Sequence, residues 1–83
     1  MRHVVSTNTL QPGVRVLWSL RRRRSDVRCV LYADATPVEV KVLQDRDLVL
    51  TEVFQEEWLA LNWARVYADR LKQQGWFESP TNP

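Results

Sequence analysis

Arg21, Arg22, Arg23 and Arg24 stand consecutively between two apolar runs. A guanidinium offers a planar fork of donors that matches phosphate or carboxylate oxygens two at a time. Four in a row therefore form a candidate segment for binding phosphate or an acidic partner. Arg15, Arg28 and Lys41 occupy alternate positions of the neighbouring runs, with Tyr32 in the same phase. On an extended backbone that alternation puts them on one face, where they would extend the basic surface and add an aromatic platform.

Other reactive side chains are sparse. Cys29 is the sole cysteine, so neither an internal disulfide nor a zinc site of paired cysteines can form. A single thiol inside an apolar run reads as a small buried hydrophobe. His3 is the sole histidine and sits near a terminus, without the companions a metal cluster needs. Asp45 and Asp47 flank Arg46 across a tight turn and are expected to diverge and stay hydrated. Glu56 and Glu57 fit the start of a helix, where negative charge is favoured. The two glycines, Gly13 and Gly75, cannot build a phosphate loop, and the Gly-x-Ser-x-Gly and His-Glu-x-x-His patterns are missing. No catalytic residue, cofactor or metal is expected, and the chain reads as a non-enzyme.

These side chains sit on a chain of 83 residues, 45% apolar and 27% charged. That length suits one domain with one core, and that composition is globular. No run approaches the roughly 18 apolar residues of a membrane span, and "MRHVVSTNTLQPG" lacks a signal-peptide core. A soluble cytoplasmic protein is expected. The net charge of +2 conceals a division. Residues 1–30 hold seven arginines and one acid, Asp26, for a balance of +6; residues 31–83 hold five basic and nine acidic side chains, for −4.

Four stretches carry strand patterning: residues 14–20, 26–33, 38–43 and 47–54, each bounded by turn chemistry such as Pro12-Gly13 or Gln44-Asp45-Arg46. The connections are too short for parallel crossovers, which leaves an antiparallel meander. Residues 55–74 shift to a helical period. Leu59, Trp63, Val66 and Tyr67, flanked by Ala60, Ala64, Ala68 and Leu71, form one arc of an amphipathic helix. Gly75 stands at the left-handed C′ position, with Trp76 as the C″ residue packing on Leu71. The expected fold is α+β: a four-stranded antiparallel meander with one C-terminal helix on one face, spanning residues 13–77. Residues 1–12 and 78–83 are expected to be flexible.

In strict alternation the helix covers Val14, Val16, Trp18, Leu20, Val27, Cys29, Leu31, Val38, Val40, Val42, Leu48 and Leu50. The open face then carries Arg15, Leu17, Ser19, Arg28, Val30, Tyr32, Glu39, Lys41, Leu43, Val49, Thr51 and Val53, half of them apolar, more than solvent requires. Leu17, Val30 and Leu43, with Trp58 on the polar side of the helix, are candidate apolar contacts for a protein partner or a second copy. A meander also brings the arginine turn and the Asp45-Arg46-Asp47 turn to the same end, roughly 10 Å apart. The helix climbs toward that end, so its negative C-terminus should finish near the arginines.

The order of elements over residues 14–77 resembles that of small bacterial proteins built as a meander and an alanine- and glutamate-rich helix closing on Gly75-Trp76. That likeness is one of pattern and carries no activity. It also resembles, coarsely, the three-stranded sheet and helix of ethylene-response and phage-integrase DNA-binding domains, although none of their signature residues is matched here. Two readings follow. The first is a non-enzymatic, homodimeric protein-interaction module acting as adaptor, regulator or inhibitor. The second is a sequence-tolerant nucleic-acid binder using the Arg21–Arg24 hairpin.

Overall fold

The computed structural model describes residues 13–79. Strands β1 (Val14–Arg22), β2 (Ser25–Tyr32), β3 (Val38–Gln44) and β4 (Asp47–Phe54) precede helix α1 (Glu57–Gln73), and a two-residue strand β5 (Phe77–Glu78) follows it. They form one sheet in the order β4-β3-β2-β1-β5, antiparallel throughout. The expected four-stranded meander is present, with a fifth strand that sequence patterning did not indicate. His3 and the rest of the expected N-terminal segment lie outside the described residues, as do residues 80–83.

Each boundary has a local cause. Gly13 enters β1 at φ +82, and a Cβ there would stand 2.7 Å from the backbone nitrogen of Asp34. That close approach carries the bond from Ala33 N–H to the Gly13 carbonyl, 2.7 Å long. At the other end of the domain, Gly75 has φ +97 and donates to the Lys72 carbonyl at 3.1 Å. Trp76 N–H reaches back to the Leu71 carbonyl, also at 3.1 Å. This pair of bonds is the Schellman stop expected from the sequence. It reverses the chain beside β1, where Phe77 and Glu78 pair with Arg21 and Leu20. Ser79 N–H then donates to the Ser19 carbonyl at 3.0 Å, extending the backbone contact with β1 by one residue.

The core lies between sheet and helix. Leu20, Cys29, Leu31 and Val40 are fully buried, each large aliphatic contributing about 1.5–3 kcal/mol relative to exposure. The helix contributes alanines, Ala60, Ala64 and Ala68, spaced at four. Their small side chains let the helix axis approach the sheet. Trp18, Phe54, Trp63 and Tyr67 fill the flanks, with Trp63 and Tyr67 ring centroids 5.1 Å apart. Leu59 and Val66, expected on the inward arc, remain about one-third exposed because the alanine stripe takes the contact.

Two bulges change the assignment of faces. In β1, Val16 pairs with Val30 but Trp18 pairs with Cys29, so Leu17 is an extra residue. The strand's side chains therefore change phase at Leu17. Val14 and Val16 share the open face with Tyr32 and Val30, whereas Arg15, opposite Leu31, turns to the helix face. In β4, Val42 pairs with Leu50 and Leu43 with Leu48, leaving Val49 extra. Leu48 consequently moves to the open face, and Val49 faces the helix side with Tyr67 and Leu71. Strict alternation had assigned all five of these residues to the opposite faces.

Candidate functional site

The arginine run closes the β1–β2 hairpin, Arg22 pairing with Ser25 across the two-residue turn Arg23-Arg24. Arg23 is left-handed at φ +57, the first central position where such a turn usually has glycine. The β3–β4 hairpin closes in the same way, Gln44 pairing with Asp47. Both of its central residues are left-handed, Asp45 at φ +51 and Arg46 at φ +77. That is the type I′ pattern, whose second position commonly holds glycine. Among the described residues, these three are the non-glycine residues with positive φ, and all lie at one end of the sheet. Each costs about 1–2 kcal/mol.

The two tips are tied together. Ser25 Oγ donates to Asp45 Oδ2 at 3.0 Å, and the Asp26 N–H donates to Asp45 Oδ1 at 3.0 Å. The Asp45 N–H in turn donates to the Asp26 carbonyl at 2.9 Å. One aspartate thus fixes the second hairpin against the start of β2.

Within this frame the run divides in two. Arg21 grips Asp26 across the strand pair through Nε at 3.0 Å and Nη2 at 3.3 Å. The hydrogen bond from Arg21 holds the Asp26 carboxyl below the usual aspartate value, and the same bond raises the guanidinium. Arg22 donates to the Gln74 carbonyl at 2.9 Å and lies 5.1 Å from the centre of the Trp76 ring. It therefore meets the negative end of α1 and an aromatic face together. Arg23 and Arg24 are exposed and, among the described residues, make no ion pair or side-chain hydrogen bond. The same holds for Arg28 on the open face and for Arg46 at the neighbouring tip. Asp47, beside Arg46, is also exposed.

The remaining sequence candidates disperse. Arg15, expected on the open face, pairs instead with Glu57 of α1 at 2.8 Å, because the Leu17 bulge turns it to the helix side. Lys41 is on the open face, 3.8 Å from Glu39 and 5.6 Å from the Tyr32 ring centre. Tyr32 lies at the opposite end of β2 from Ser25, about 23 Å along the strand, and cannot share a ligand patch with the arginine turn. Leu17 packs against the core, Val30 is 8% exposed and Leu43 is half-buried. Trp58 is 64% exposed on the outer side of α1.

Two residues outside the sequence candidates join the site. Arg46 enters the sequence reading only as the residue between Asp45 and Asp47, although a tight turn at the arginine end was the signal for its exposure. Phe77, 67% exposed, pairs with Arg21 and so shares the open face with it. Nothing local marked it, because β5 exists only through pairing with β1.

The rest of the surface is less distinctive. An open groove of about 1080 Å³ follows the outer edge of β1, lined by Leu17, Trp18, Leu61 and Ala64 among others. The Trp18 Nε1–H crosses it to the Ala64 carbonyl at 3.0 Å. Burial alone pushes the Cys29 thiol up to about 12. Among the described residues there is no group of three His, Cys, Asp or Glu able to hold a metal ion, and no helix long and apolar enough to cross a membrane.

No family model, curated protein or solved structure matches the chain.

Proposed function

We propose that the protein is a non-enzymatic interaction module that pairs with a second copy of itself through the β3–β4 half of its open face. The reading is carried by β4, an outer strand whose Leu48 and Val53 are 55% and 53% exposed. Both share the open face with half-buried Leu43, as their partners Leu43 and Glu39 indicate. Exposed aliphatics concentrated on one strand favour association over hydration.

Packing of faces suits this strand better than pairing of edges. Antiparallel pairing centred on Glu52 would set two glutamates opposite each other, a destabilising arrangement. The Val49 bulge interrupts the other registers, and Glu52, opposite Val40, points its charge toward the helix side. Bulges and inward charges are the usual guards of a sheet edge. Such a dimer would act as an adaptor, regulator or inhibitor by binding another protein.

Light scattering on the purified protein, with Leu48→Glu and Val53→Glu alongside, tests the reading. The expected result is twice the chain mass for the parent and the single-chain mass for folded variants. A monomeric parent at millimolar concentration would end it.

A further inference from the structure

We infer that the two hairpin tips and Phe77 form a binding site for single-stranded nucleic acid, tolerant of sequence. The site borders the proposed dimer face at Leu48, two residues beyond Arg46, and does not rest on self-association.

Three independent observations converge. The first is free charge. Arg21 and Arg22 are occupied within the fold, but Arg23, Arg24, Arg28 and Arg46 have no ion-pair partner among the described residues. Against them stand Asp45, engaged by Ser25 and the Asp26 N–H, and Asp47. The second is pre-organisation. Asp45 binds one tip to the other, so the arginines of two hairpins are presented as a unit. Arg23 and Arg46 hold left-handed positions that glycine would fill with less strain. Strain of this kind collects where a side chain is needed for binding.

The third observation selects the ligand. Phe77 is 67% exposed and lies beside Arg21 on the open face. An acidic protein surface would be met by the arginines alone and gains nothing from a bare phenyl ring. A duplex keeps its bases stacked inside. An unpaired strand offers phosphates to the guanidiniums and base faces to the ring, the combination that sequence-tolerant single-strand binders use.

The test is fluorescence anisotropy with a labelled 12-mer of deoxythymidine, the same length of duplex, and a polyglutamate peptide. Single-strand binding is expected at 50 mM salt. With three arginine–phosphate contacts it should weaken about 20-fold between 50 and 200 mM. Arg23→Ser/Arg24→Ser/Arg46→Ser should abolish it, and Asp47→Asn should strengthen it. Phe77→Ala should weaken it roughly 5- to 150-fold, with Phe77→Trp restoring it. Circular dichroism confirms that each variant is folded. Absence of binding at 50 mM salt, or an unchanged affinity in the triple variant, overturns the inference. Polyglutamate binding as tight as the oligonucleotide, or indifference to Phe77→Ala, overturns it in favour of an acidic protein partner.

Discussion

Asp45 and Ser25, 20 residues apart in the chain, meet at 3.0 Å and make two hairpin tips into one rigid end. The same carboxylate receives the Asp26 N–H, so its removal frees a hydroxyl and an amide together. Asp45→Ala should cost about 1–2 kcal/mol, seen as a lower urea midpoint. Asp45→Asn keeps one acceptor oxygen and the tolerance for φ > 0, and should lose less. Equal losses would mean that the bonds contribute little.

Arg46 at φ +77 bears a conformational cost that glycine avoids. Arg46→Gly should therefore raise stability, by up to about 1 kcal/mol, with a gain of several degrees in melting temperature for a domain this small. Arg23→Gly should behave alike. A more stable protein with a weaker tip is the signature of strain retained for the side chain's use. Destabilisation by either change would show that the arginine stems contribute more packing than their exposure suggests.

The Cys29 thiol is fully buried and pushed up to about 12. An aromatic disulfide reagent at pH 8 should leave the native protein almost untouched and label it at once in 6 M guanidinium, a concentration chosen to unfold it. The raised value also fixes a sign. Between the ordinary thiol range near 8.5 and about 12 the unfolded chain loses this proton first, so stability should fall as pH rises through that window. Cys29→Ala should lack that part of the slope. Fast native labelling would contradict the burial.

Asp26 supplies the opposite sign. Its folded value lies below 3.8, chiefly through the Arg21 hydrogen bond. The stability from this exposed pair is whole above that ordinary value and is lost as pH falls through the lower, folded one. Asp26→Asn should melt below the parent at pH 7, with the gap narrowing as pH falls below the ordinary aspartate range. A difference that persists in acid would locate the effect elsewhere.

The features legible in the sequence were those with a local cause. Alternation in residues 38–43, the breakers at Gly13 and Asp45-Arg46, and the Gly75-Trp76 stop each specify their element from within a few residues. The meeting of the arginine turn, the Asp45 turn and the helix C-terminus followed from connection lengths alone. The bulges at Leu17 and Val49 were hidden, because neither is a glycine and each is set by cross-strand fit. That reversed Arg15 and dissolved the broad basic face. β5 was hidden too, since two residues carry no period and Phe77 acquires its position only by pairing with Arg21.

The Leu17 bulge has an evolutionary edge. A strand ordinarily tolerates substitution better than loss, yet deletion of this leucine would join Val16 to Trp18 with every other cross-strand partner in place. Arg15 would keep its bond to Glu57, and Val14 and Val16 would stay on the open face. Keeping the leucine while ironing out the bulge would have the opposite effect, swinging Arg15 outward and turning Val14 and Val16 under the helix. The bulge thus lets the sheet absorb a change of one codon without exchanging a greasy outer surface for a cationic one.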